Sequence, residues 1–195
     1  MVLLLENQIG GPMGRFSDSD VFFLLDRLRD GEHIGRIRIA EYIGIGEGSI
    51  RSLLTLLDEK RMISITKAGV RITDTGKELL DGLGIRSVDI FIPGYVLGAF
   101  QQGVVVKGAA NKVFNGIEQR NCGIRAGGDG CTTWAMEGDV LNMLPDWNVD
   151  MENPELAKTI REKTDMKDGD VLIIGGGQSR HLAMMAAGAA SLELV

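Results

Sequence analysis

Between Glu47 and Asp74 the hydrophobic period changes once, and that change narrows the folds open to the chain. Ile50, Leu53, Leu54 and Leu57 recur at i, i+3, i+4 and i+7, the spacing of one helical face. After Arg61 the helical spacing is gone. "MISIT" and "VRITD" read as two short strands about "KAG", a compact turn with Gly69 at its end. A helix that gives way to a hairpin within so short a span belongs to a mixed unit.

The flanking segments extend the pattern. Ser17 precedes "DSDVFFLLDRL" with Asp20 three residues on, which predicts an N-cap and acids in the first turn. Val21, Leu24, Leu25 and Leu28 share a face, and Gly31 stops that helix. Ile34 and Ile37 are expected in a short strand, followed by a helix around Arg38 to Ile43 that Gly44 closes. Thr73 or Asp74 is expected to cap a last helix, "TGKELLDGL".

Gly44, Gly46 and Gly48 therefore lie at a turn between two helices. A dinucleotide loop needs a buried strand directly before its glycines, and a Walker loop needs a Lys-Ser/Thr pair; neither is present.

The stretches "AEYIGIGEGSIRSLLTLL", "RMI" and "GVRITDTGKELL" resemble a winged helix-turn-helix domain of prokaryotic, especially archaeal, transcription regulators. The resemblance implies a DNA-binding domain over residues 15–83. Its recognition helix, residues 48–60, would enter the major groove, and a wing at 62–73 would touch an adjacent groove or phosphates. Carried over by position, Ser49, Arg51, Ser52 and Thr55 would face the groove, Lys67 and Arg71 would belong to the wing, and Arg36 and Arg38 would reach phosphates.

Charge tempers that expectation. From Arg27 to Arg71 nine basic residues face six acidic ones, a surplus of only three, while the whole chain is at −6. Affinity per domain should be modest, so a homodimer on double-stranded DNA is expected.

The second half, residues 88–195, reads as α+β. "DIFIPGYVLGAFQQGVVVKG" is strand-like, interrupted at Pro93-Gly94, and "AANKVFNGIEQRNCGIRAG" is expected as one helix burying Val113, Ile117 and Ile124. "GCTTWAME" and "GDVLNML" suggest paired strands about Glu137-Gly138. Asn153 and Pro154 open another helix, "GDVLIIGGG" is a buried strand, and "QSRHLAMMAAGAASLEL" is expected as an apolar helix that ends in a short strand and must be covered. The β-α-β-β-α-β order fits a split, ferredoxin-like sandwich. With the winged helix in front, "VKGAANKVFNGIEQRNCGIRAGGDGCTTW" and "MKDGDVLIIGGG" resemble an archaeal family of two-domain regulators. Its C-terminal domain is of unknown function, which implies a role in effector binding or oligomerisation.

Two ligand sites are conceivable there. Gly175, Gly176 and Gly177 follow a strand, with Gln178 and Ser179 at a helix start, a context that can hold an anion; a tight turn for close packing explains the same residues. Lys107, Asn111, Lys112, Asn115 and Glu118 gather donors and acceptors near a strand-to-helix junction, although a solvated helix face would look alike.

Cys122 and Cys131 are too few for a disulfide framework, lack zinc-site spacing and read as small apolar residues in a reducing cytoplasm. "MVLLL" is too short for a signal or membrane segment, so a soluble protein without membrane contact is expected. His33 and His181 lie apart from any metal-type cluster. No nucleophile–base spacing, cofactor motif or paired carboxylates appear. The expected function is a sequence-specific regulator with a possible small-molecule effector. The alternative is a nucleotide- or small-molecule-binding enzyme with a regulatory winged helix.

Overall fold

The computed structural model describes residues 16–195. The "MVLLL" stretch and Arg15, the first residue expected in the DNA-binding domain, lie outside the described residues. The chain divides into two compact units, one ending at Leu83 and one running from Gly84 to Val195.

In the first unit, α1 (Asp18–Arg27) opens with a reciprocal cap. Ser17 N donates to Asp20 Oδ2 at 2.7 Å, while Ser17 Oγ accepts from Asp20 N at 3.4 Å. Helix α2 (Arg36–Ile43) ends at Gly44, whose φ of 80° is the left-handed conformation that a side chain disfavours. The chain re-enters a helix as α3 (Glu47–Glu59), which buries Ile50, Leu53, Leu54 and Leu57. Each of those side chains contributes roughly 1.5–3 kcal/mol on leaving water, so the stripe alone anchors α3.

The hairpin follows as β1 (Ile63–Thr66) and β2 (Gly69–Ile72), paired antiparallel. Thr73 Oγ1 accepts from Gly76 N at 3.3 Å and so caps α4 (Asp74–Leu83). Ile34 and Val70 exchange two main-chain hydrogen bonds of 2.9 Å, which ties the segment before α2 to the hairpin. The strand expected over Ile34 and Ile37 is thus reduced to this single bridge. Ile37 belongs to α2 and is 72% exposed.

The second unit is built on six antiparallel strands in the order β3 (Ile85–Val88), β4 (Phe100–Val106), β8 (Val171–Gly177), β5 (Gly130–Glu137), β6 (Val140–Met143) and β7 (Trp147–Asn148). With helices α5 (Ile117–Arg125), α6 (Val149–Glu152), α7 (Pro154–Thr164) and α8 (Arg180–Leu192), this is the mixed α+β class that the sequence suggests. The β-α-β-β-α-β alternation is present as β4, α5, β5, β6, α7 and β8. Strand order lies beyond what alternation determines: β8, last in the chain, runs between β4 and β5.

Alternation along β8 separates the two faces of the sheet. Leu172 and Ile174 join a core with Trp134, Met136, Leu141, Val149, Ala157 and Ile160. Gly175 turns the other way, where a Cβ would meet the main chain of Ala183 and Ala187 in α8. Asn153 caps α7, its Oδ1 accepting from Leu156 N at 3.2 Å, with Pro154 just inside.

The single helix expected over "AANKVFNGIEQRNCGIRAG" is two pieces. A 3-10 turn at Ala110–Lys112 ends before Gly116, whose φ of 74° breaks the helical path, and only then does α5 begin. Its buried stripe also differs. Ile117 and Ile124 are 54% and 44% exposed, whereas Gln119, Cys122 and Gly123 face inward. The reason is steric: a Cβ on Gly123 would stand 2.5 Å from Cys131 Sγ, so α5 packs on β5 through its small residues. Burial pushes the Cys131 thiol up to about 12, and burial with Glu193 nearby raises Cys122 to about 11. Both thiols are therefore uncharged at neutral pH.

Candidate nucleic-acid interface

Helix α3 leaves one polar face outside the core. Arg51, Ser52 and Thr55 are exposed on it, and Ser49 is half-buried. Ser52 Oγ donates to Gly48 O at 3.1 Å and Thr55 Oγ1 to Arg51 O at 3.0 Å. With their hydrogens committed to the helix, both hydroxyls present lone pairs outward and act as acceptors.

Three of the sequence-predicted residues meet. Arg36, Arg51 and Thr55 on the helical side, with Ile65 and Thr66 on the hairpin side, line a concavity of about 290 Å³. Glu47, which sequence reasoning passed over, links two of them. Its Oε1 lies 3.6 Å from Arg36 Nη2 and 3.4 Å from Arg51 Nη2. The i, i+4 spacing of Glu47 and Arg51 was a legible signal for the second pair. Side-chain exposures between 48% and 66% make these contacts weak and easily exchanged.

Lys67 is exposed at the hairpin tip, and Arg38 is exposed on α2; among the described residues neither forms an ion pair. Arg71 stands apart. It is paired in register with Ser64, between the buried Val70 and Ile72, so it projects from the hairpin face opposite α3. There its Nε lies 3.6 Å from where a Cβ on Gly31 would be. Asp58 and Glu59 are exposed at the far end of α3, so its first turns are the part that tolerates a polyanion.

The second unit separates its expected ligand residues. Gly175, Gly176 and Gly177 are strand residues of β8, paired with Gln102, Gln101 and Phe100, so their main chain is engaged in the sheet. The glycines lie in the strand rather than in a turn after it, and a Cβ on Gly175 or Gly177 would meet the main chain of α8. Ser179 caps α8 through Leu182 N at 3.2 Å, and Gln178 Nε2 donates to Asp129 Oδ2 at 2.6 Å, which sets a carboxylate beside the turn. Lys107 and Asn111 are exposed, and Lys112 Nζ donates to Leu194 O at 2.5 Å. Asn115 Oδ1 accepts from Ile117 N at 3.0 Å ahead of α5, and Glu118 is in that helix. The break at Gly116 means that Asn111, Asn115 and Glu118 share no helical face.

His33 is exposed and His181 half-buried. Among the described residues no group of three His, Cys, Asp or Glu is placed to hold a metal, and no helix is long and apolar enough to cross a membrane.

Comparison with known proteins adds to this geometry. Residues 21–85 match the CggR N-terminal DNA binding domain, which points to a DNA-binding regulator. Among solved structures, the hypothetical protein PH0730 from Pyrococcus horikoshii OT3 is similar at 27% identity with a TM-score of 0.75, over 92% of this chain and 93% of that one. No curated protein matches. Residues 97–194, just over half the chain, match the domain of unknown function DUF4443, and the chain belongs to that family.

Proposed function

We propose that the protein is a sequence-specific, cytoplasmic transcriptional regulator, in which residues 15–83 read double-stranded DNA and residues 88–195 bind a small effector or assemble a homodimer. The observation that carries this reading is the concavity between α3 and the hairpin, where Arg36 and Arg51 flank Thr55. Helix α3 enters the major groove by its first turns. Ser49, Arg51, Ser52 and Thr55 meet base edges, Arg36 and Arg38 meet phosphates, and Lys67 follows the backbone from the wing. Arg71, on the opposite hairpin face, adds a weaker phosphate contact.

The test is selection of bound fragments from sheared genomic DNA of the source organism, followed by fluorescence anisotropy on the selected duplex across a salt series. The native chain enriches one sequence. The Arg51→Ala/Lys67→Ala/Arg71→Ala variant binds more weakly and loses about one unit of salt slope for each phosphate contact removed. Unchanged affinity in the triple variant would overturn the assignment.

A further inference from the structure

The edge of β5 holds a cavity that neither the winged helix nor the glycine strand explains. Strand β6 pairs with β5 only from Trp134 to Glu137, and the last contact beyond is Leu144 N donating to Thr133 O at 3.0 Å. Among the described residues, Gly130, Cys131 and Thr132 therefore have no strand partner on that side. Two adjoining concavities, about 260 and 110 Å³, follow this edge and share Arg120, Cys131 and Thr132.

The walls are apolar and the polar groups few. Ile117, Met143, Leu144 and Tyr95 line the larger space. Tyr95 is held by stacking on Trp147, with ring centroids 5.3 Å apart, and by Asn153 Nδ2 donating to its hydroxyl at 3.2 Å. Thr133 also lines the space, but it is 2% exposed and its hydroxyl is shut off from the space. Gly116, at φ 74°, closes over it, where a Cβ would lie 3.3 Å from Thr133 Oγ1.

Arg120 supplies the charge. It is exposed, lines both concavities and forms no ion pair among the described residues. Asn115, its Oδ1 already accepting from Ile117 N, keeps its amide N–H groups as donors. One guanidinium and one amide among apolar walls recognise an anion with an apolar body. Asp129 lines the smaller space, and the whole chain carries −6, so a single negative charge is favoured over a dianion.

We propose that this cavity binds a small monocarboxylate with an aliphatic or aromatic body. The carboxylate lies on Arg120 and accepts from the Asn115 amide, and the body lies against Ile117, Met143 and Tyr95. The proposal gives the effector-binding part of the function above a site and a ligand class, and rests on that reading only in calling the ligand an effector. Binding itself requires no DNA.

The experiment is methyl NMR of the full chain, following the Ile and Met methyls while phenylacetate, hexanoate, phenylacetamide and inorganic phosphate are added separately at millimolar concentration. The carboxylates shift the Ile117 and Met143 methyls, while the neutral amide and phosphate do so much less. Arg120→Gln weakens carboxylate binding roughly ten- to hundredfold, the loss of a charged hydrogen bond. Equal response to amide and carboxylate, indifference to Arg120→Gln, preference for phosphate, or no shift with either carboxylate overturns the proposal. Carboxylate binding in a protein with no DNA affinity would leave the site standing and remove the regulatory reading.

Discussion

Among the described residues, Gly46 and Gly48, at the start of α3, have no neighbouring atom within 4 Å of the place a Cβ would take, whereas at Gly176 that place falls on Leu97 O. Gly44 has a φ of 80°, yet Gly175, Gly176 and Gly177 all lie in ordinary strand conformation. The first cluster uses glycine to bend the chain between two helices; the second uses it to bring elements together. The helices beside them differ in the same sense. Both α3 and α8 have 13 residues, but α3 buries one stripe and leaves a polar face, while α8 is covered from Ala183 to Gly188 without interruption. A glycine run is thus informative only with the packing around it.

Four measurements sharpen or break that contrast. Gly176→Ala should cost about 3 kcal/mol or more, because the new methyl meets main chain that cannot move aside. Urea unfolding followed by tryptophan fluorescence reads it cleanly, since Trp134 and Trp147 both lie in the second unit; a cost near zero would mean that the sheet and the Leu97 loop separate easily.

Gly44→Ala should cost about 1–2 kcal/mol through the left-handed backbone, seen by circular dichroism in a transition that tryptophan does not report. Gly44→Asn should recover part of it.

The ion pairs repeat the contrast between open and enclosed. Arg161 grips Asp150 with contacts of 2.6 and 2.8 Å, and Leu141 N donates to the same carboxylate at 2.7 Å, unlike the long, exposed pairs of Glu47. The hydrogen bonds from Arg161 hold the Asp150 carboxyl below its usual range despite opposing desolvation. A depressed folded-state value means that the stabilisation is fully present above the unfolded carboxylate range and disappears as pH falls through the folded one. Asp150→Asn should therefore lower the melting temperature at pH 7, a loss on the order of 1 kcal/mol after solvent screening. The gap from the native chain should close in acid. A gap constant with pH would assign the loss to packing.

Gly48→Ala should have the smallest effect and the opposite sign, a gain of about 0.5 kcal/mol from helix propensity in open space. Destabilisation there would reveal packing at α3 that the geometry lacks.

Much of the first unit was legible because its signals are local. The cap at Ser17 and Asp20, the stripe from Ile50 to Leu57 and the stop at Gly44 each depend on residues within one or two turns. Arg71 was less so: its place among the wing residues was readable, but not the face it projects from, which depends on register with Ser64 and on what buries Val70 and Ile72. In the second unit the helix expected through Gly116 failed because apolar spacing from Val113 to Ile124 imitated a buried stripe. The inward side was chosen instead by Gly123 and Cys131, close in space through α5 and β5. The cavity at Arg120 was not legible, since it exists only where β6 stops pairing with β5.

Glu47 also bears on how the molecule would spend its time on DNA. On the proposed reading, Arg36 and Arg51 must leave a carboxylate of their own before they meet phosphates or bases. On arbitrary sequence that exchange gains little, so residence there is short and the search moves on. At a site that also satisfies Ser52 and Thr55, the exchange is outweighed and dissociation slows. A carboxylate at the edge of a recognition surface would then shorten every wrong stop while sparing the right one.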